Sequence, residues 1–244
     1  MATGSSFIFL GVVLQLVFAE LPSYIKVCKR NDPKINQCII NSIETLRPQL
    51  IKGIPELDVP AMEPLKLKKI SVSEGGPFRA VGTDVIVKGA SNFEIKDLQC
   101  DIEKLEFIVA IYIPFLTFDC TYDVDARVLQ LRVKGNGPLK ANATDIDGKG
   151  IVKGKKITKD GKTYVAFNDL DLKLNIKSYH IHLENLFNND PALNEAVNVA
   201  LNENKKELIT TIRPQAERVV TNVLLEIANK ITQHFTYEEL FPEK

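Results

Sequence analysis

From about Pro191 to Phe235 apolar residues recur at helical spacing. Val197, Leu201, Leu208, Ile212, Val219, Val223, Ile227, Ile231 and Phe235 step by four or seven positions, with Asn, Glu, Lys and Arg between them. An unbroken helix over that span measures roughly 65 Å at about 1.5 Å per residue. A compact chain of this size is only about 40 Å across. The pattern therefore predicts a long spine, with Pro214 as the expected bend because proline removes one intrahelical hydrogen bond. The alternative is two ordinary helices that meet near Arg213 and Pro214.

An earlier helix starts at Asn31-Asp32-Pro33, where Asp32 can cap and Pro33 suits the first turn. Its apolar stripe is Ile35, Ile39, Ile43, Leu46 and Leu50, and it ends near Gly53. Thr45-Leu46-Arg47-Pro48-Gln49 here is echoed by Thr211-Ile212-Arg213-Pro214-Gln215 in the long helix, a weak sign of a repeat.

Between Leu65 and Ile176 the period changes to two, with alternating runs at Val81 to Val87, Leu105 to Ile113, Leu116 to Val124, Val128 to Val133 and Leu170 to Ile176. Asn136-Gly137, Asp147-Gly148 and Asp160-Gly161 read as hairpin turns. These features predict an antiparallel meander, and with the helices an α+β fold: a long C-terminal helix wrapped by a curved antiparallel sheet. Leu116, Phe118, Cys120, Tyr122 and Val124 share one face, as do Leu98, Cys100 and Ile102. Leu105, Phe107, Val109, Ile111 and Ile113 join the inward face only if parity slips near Glu103-Lys104, as at a bulge.

Charge narrows the partner little. The 31 basic and 31 acidic side chains balance, which argues against nucleic acid or an anionic surface as the main partner. Residues 1–19 carry no charge, hold an apolar run from Phe7 to Phe18 and end in Val17-Phe18-Ala19. This reads as a secretory signal peptide, leaving a single extracellular domain from Glu20 to Lys244. Four cysteines in a secreted chain are expected to pair in one of three connectivities. Proximity along the chain favours Cys28 with Cys38, and Cys100 with Cys120 as a buried staple between strands.

The order of parts then resembles a known family. Cys28-Lys29-Arg30-Asn31-Asp32-Pro33 and Cys38 are followed by Leu46-Arg47-Pro48, Gly53-Ile54-Pro55-Glu56-Leu57 and Met62-Glu63-Pro64-Leu65. Ser91-Asn92-Phe93, Gly135-Asn136-Gly137-Pro138 and Glu239-Leu240-Phe241-Pro242 complete the set. Together they are similar to the insect takeout and juvenile hormone binding protein family, over essentially the whole mature chain. The resemblance implies the elongated tubular lipid-binding fold, an internal hydrophobic tunnel and extracellular carriage of an apolar ligand. It also carries the first disulfide over to Cys28 and Cys38. Roles in feeding, circadian output or chemosensation are implied by the family alone. The Cys100 and Cys120 pair departs from the family pattern.

No catalytic motif competes with that reading: the chain has no Gly-x-Ser-x-Gly elbow, phosphate loop or Cys-x-x-Cys. His180 and His182 are too few for a closed metal site, and Asp145-x-Asp147-Gly148 lacks the later acid of a calcium loop. Asn142-Ala143-Thr144 is a glycosylation sequon. The expectation is a secreted, monomeric, non-enzymatic carrier of a juvenile-hormone-like terpenoid or long-chain fatty acid, without cofactor, metal or stable membrane insertion. The candidate lining is Phe107, Val109, Ile111, Ile113, Phe118, Tyr122, Val219, Val223 and Ile227. The alternatives are an extracellular protein with a self-filled tunnel, acting through a receptor or membrane contact, and, less favoured, a lipid-acting enzyme.

Overall fold

The computed structural model describes residues 21–73, 79–128 and 131–243. The signal-peptide reading of residues 1–19 lies outside them. Helix α1 (Ile35–Lys52) leads into six antiparallel strands: β1 (Leu65–Ser73), β2 (Arg79–Lys88), β3 (Glu94–Asp101), β4 (Glu106–Val128), β5 (Leu131–Lys159) and β6 (Lys162–Leu183). Helices α2 (Pro191–Glu203), α3 (Lys205–Thr232) and α4 (Tyr237–Leu240) follow. The sheet runs β1-β2-β4-β5-β6, and β3 pairs with the N-terminal half of β4 while β2 pairs with its C-terminal half. This is the expected α+β arrangement. With 29 residues, β5 has a contour of roughly 95 Å at about 3.3 Å per residue, so the molecule is elongated along its strands.

Two of the three expected hairpin turns are instead interior to β5. Only Asp160-Gly161 turns the chain, with φ of 51° and 73°, the left-handed pair that a tight hairpin needs. Gly137 and Gly148 answer to close packing. A Cβ on Gly137 would meet the Glu184 carbonyl at 2.7 Å, and one on Gly148 would meet Ile111 at 3.0 Å. The break in the C-terminal helix also moves. Pro214 lies inside α3, and the chain breaks at Asn204, with φ −92° and ψ 44°. Asp190 caps α2, accepting from the Leu193 amide, with Pro191 behind it, whereas the expected cap Asp32 lies ahead of α1, which starts behind Lys34, and accepts from the Lys34 amide at 2.8 Å.

The parity slip is real but sits elsewhere. Ile102 to Leu105 form the turn between β3 and β4, and the inward face changes parity at Pro114. Its neighbours do the same at that level: Ala143 and Ile146 are both buried on β5, and Ile176 and Tyr179 both join the same core on β6. The three strands therefore bend together along a line through Pro114, Asp145 and Lys177. Asp145, at φ 51°, ties that line by accepting from the Tyr112 hydroxyl at 2.7 Å and facing Lys177 at 3.6 Å.

What fixes the sheet to the helices is a ladder of side chains along the edge of β6. Asn198 and Asn202 each accept from a backbone amide and donate to the carbonyl of the same residue, Leu183 and Ile181 respectively, at 2.7 to 2.9 Å. Asn229 does the same to Phe167. Asn194 accepts from the Leu186 amide and Glu217 from the Leu174 amide, and Thr232 donates to the Val165 carbonyl. A free strand edge is thus occupied by amides that imitate another strand. Replacing Asn198 by Leu leaves the buried Leu183 amide and carbonyl without partners. Urea denaturation is expected to show a loss of about 2 to 4 kcal/mol, and a loss below about 0.5 kcal/mol contradicts the ladder.

Cys28 and Cys38 form a disulfide, whereas Cys100 and Cys120 are free thiols. The expected second staple fails on register. Cys100 pairs with Phe107 on β4, and Cys120 lies 13 positions further along that strand (120 − 107), beside Gly82. At about 3.3 Å per residue the two thiols stand roughly 40 Å apart, against about 4 Å between bonded Cβ atoms. Burial pushes both thiols above their usual range. Alkylation without reductant is therefore expected to label two cysteines once the protein is denatured. Mass spectrometry showing no label would restore the staple.

Candidate ligand-binding site

Helix α3 approaches the sheet at its two edges, closely along β6 and more sparingly at β1. The middle strands β4 and β5 come less close to the helix. Packing along this interior is uneven. At one end Leu201, Leu208, Ile209 and Tyr122 are buried in a core with Val133, Ala143 and Leu186. At the other, Leu50, Ile54, Leu57 and Phe235 form a second core and Ile102, Leu105, Phe107 and Tyr237 a third. Between these ends Leu170 and Leu172 on β6 and Val85 and Val87 on β2 are buried, whereas the apolar faces of β4 and α3 are only partly buried. On α3, Leu208 and Ile209 are 5% and 7% exposed, and Phe235 just beyond its end is 3%, yet Val219, Val223 and Ile227 are only partly buried. On β4, Phe107 and Tyr122 are 8% and 4% exposed, while Val109, Ile111, Ile113, Leu116 and Phe118 between them are half-buried.

The structure sorts the expected lining residues accordingly. Phe107 and Tyr122 pack within the end cores, Val109, Ile113, Phe118 and Ile227 lie against their margins, and Ile111, Val219 and Val223 belong to none of the cores. A space of about 540 Å³ at this level is lined by Ile111, Gly148, Leu174 and Arg213 together with the exposed Lys96, Asp147, Lys149, Lys173 and Asn175, and is open to solvent. At Gly148 the side chains of Ile111 and Leu174 pack in close, 3.0 and 3.5 Å from where a Cβ would stand. A second space of about 500 Å³, lined by Glu203, Lys206, Glu207 and their neighbours, is a polar groove at the junction of α2 and α3.

Polar groups near the interior are held as neutral donors. Burial pushes the Tyr122 and Tyr179 phenols up to about 12, so both keep their protons and donate to the carbonyls of Glu184 and Leu201. The other motifs lie elsewhere. His180 and His182 are exposed on the outer face of β6. Asp145 is the bend residue, its carboxyl held below the ordinary range first by the Tyr112 hydroxyl, and Asp147 is exposed on the outer face of β5. Asn142 alternates with buried Ala143 and so faces outward, opposite Thr117 and His180. Among the described residues no helix is long and apolar enough to cross a membrane.

Sequence reasoning missed Leu174, Gly148, Arg213 and the asparagine ladder. The ladder did leave a signal: Asn194, Asn198 and Asn202 repeat every fourth residue beside the apolar stripe. Gly148 and Arg213 left none, because their neighbours come from other strands and helices.

Comparison with known proteins agrees with this architecture. The chain is 26% identical to the circadian clock-controlled protein daywake of Drosophila yakuba over 90% of its own length and 88% of the relative's. It is 24% identical to the Drosophila melanogaster daywake, covering 91% and 89%. A Schistocerca gregaria protein provisionally named as β-carotene-binding is 19% identical, covering 89% and 88%. The crystal structure of Epiphyas postvittana Takeout 1 superimposes with a TM-score of 0.74 at 19% identity, over 89% of this chain and 100% of that one, and so shares its fold. The profile of the haemolymph juvenile hormone binding protein (JHBP) family matches residues 7–242, and the chain belongs to that family.

Proposed function

We propose that the protein is a secreted carrier that holds one long apolar molecule in the space between α3 and the middle strands. The observation that carries this reading is the interruption of packing: two faces of apolar residues are buried at both ends and left half exposed between them. Protein interiors are normally packed to crystal-like density, so an apolar gap of this kind is a place for a ligand. Ile111, Ile113, Phe118, Leu174, Val219 and Val223 line the middle of the proposed tunnel, and Phe107 and Tyr122 help to close its ends. The family's ligand class supports the reading, as does the name of the locust relative. The Cys28–Cys38 disulfide suits an oxidising, extracellular compartment. A glycan on outward-facing Asn142 is compatible with it. The names of the daywake relatives point to a setting under circadian control.

Terpenoids and long-chain fatty acids both have the required shape. Burying about a dozen methylenes is worth roughly 10 kcal/mol against an association cost of about 4 kcal/mol or more. The remainder corresponds to a dissociation constant of roughly tens of micromolar, so ligands are expected to rank by chain length and fit. Ile111→Trp and Val223→Trp place a large ring where no core packs. Both variants are expected to stay folded by circular dichroism while losing displacement of a fluorescent fatty-acid probe. Thr121→Trp, on the exposed face of β4, is expected to retain it. Unfolding of both inward variants would instead mark these positions as close-packed core and remove the carrier reading.

A further inference from the structure

Helix α3 carries one cationic side chain to the edge of the apolar space. Arg213 borders the 540 Å³ cavity beside Ile111, Gly148 and Leu174, and its Nε is buried without a hydrogen-bond partner. Two residues on, Gln215 Oε1 is likewise buried and unpartnered. A buried guanidinium N–H with no acceptor is costly, and such groups are normally satisfied within the fold. Neither nearby carboxylate bonds Arg213 Nε. Glu217, one turn further along α3, accepts from the Leu174 amide at 2.9 Å, and Asp147 borders the cavity from the exposed face of β5. The remaining charged residues around the cavity are Lys96, Lys149 and Lys173, all exposed. Lys96 and Lys173 are paired with Glu94 and Asp171, so the inner wall of this space offers apolar side chains and one guanidinium N–H that lacks an acceptor.

We propose that Arg213 anchors the head group of the ligand, and that the ligand is an amphipath with a long apolar chain and a terminal carboxylate. This rests on the carrier reading and narrows it. The carboxylate accepts from the Arg213 guanidinium, and the chain lies along Val219 and Val223. A carboxylate cancels the guanidinium charge and makes the stronger, charge-assisted hydrogen bond. A methyl ester of the same chain offers acceptors but leaves the buried charge uncompensated.

The test is displacement of a neutral naphthylamine probe by tetradecanoate and by its methyl ester, in the wild-type protein, Arg213→Met and Arg213→Lys. In the wild type the acid is expected to bind at least about tenfold more tightly than the ester, a difference of about 1.4 kcal/mol. In Arg213→Met that preference is expected to collapse to within about twofold, and Arg213→Lys is expected to keep part of it through its ammonium. The same preference in Arg213→Met as in the wild type, or equal binding of acid and ester by the wild type, overturns the anchor while leaving the carrier standing. Displacement by neither ligand in the wild type overturns both. If Arg213→Met fails to fold, the wild-type acid-to-ester ratio and Arg213→Lys decide the matter.

Discussion

The edge of β6 is the constraint from which the rest of this architecture follows. A sheet edge presents alternate amides and carbonyls that must find partners, and here α2 and α3 supply them through Asn194, Asn198, Asn202, Glu217, Asn229 and Thr232. These short side chains hold the helices against the rim of the sheet rather than flat on its face. A helix lying on the face would fill the concavity with its own side chains. Held at the rim, with β1 approaching from the far edge, α3 leaves the middle strands facing space.

That arrangement divides stability from function along the length of the molecule. The three cores sit at the ends, where Tyr122 and Leu208 pack on one side and Phe107, Phe235 and Tyr237 on the other. Cys28–Cys38 and α1 reinforce the second end, where Arg30 also grips the C-terminal segment by donating to the Phe241 carbonyl. In the middle β4 and α3 are only partly buried, while Leu170, Leu172, Val85 and Val87 are buried. Its shape comes from the strand bend at Pro114, Asp145 and Lys177 and from the close approach of Ile111 to Gly148.

Much of this was legible in the chain because periodicity reports which face of an element is apolar. The helical stripe from Val197 to Phe235, the two-residue alternation of the strands and the helix stop at Gly53 all reappear. What periodicity does not report is the level of a residue along its neighbour. Cys100 and Cys120 share an apolar face, yet register sets them at opposite ends of β4. Asn136-Gly137 and Asp147-Gly148 carry the same local signal as Asp160-Gly161, and only tertiary packing shows that they serve close approach. The helix break falls at Asn204, within the seven-residue step from Leu201 to Leu208, because both leucines remain buried on either side of it. Arg213 looked like part of a sequence echo and acquires meaning only beside Gly148 and Leu174.

The central claim is that the space between α3 and the middle strands is a binding tunnel and not merely loose packing. Native mass spectrometry of the purified protein, followed by denaturation and organic extraction, tests it most directly. The account predicts one apolar molecule per chain, retained in the native ion and released on unfolding, with an empty protein taking up a single long-chain lipid when one is supplied. An empty chain that takes up no such lipid would contradict it.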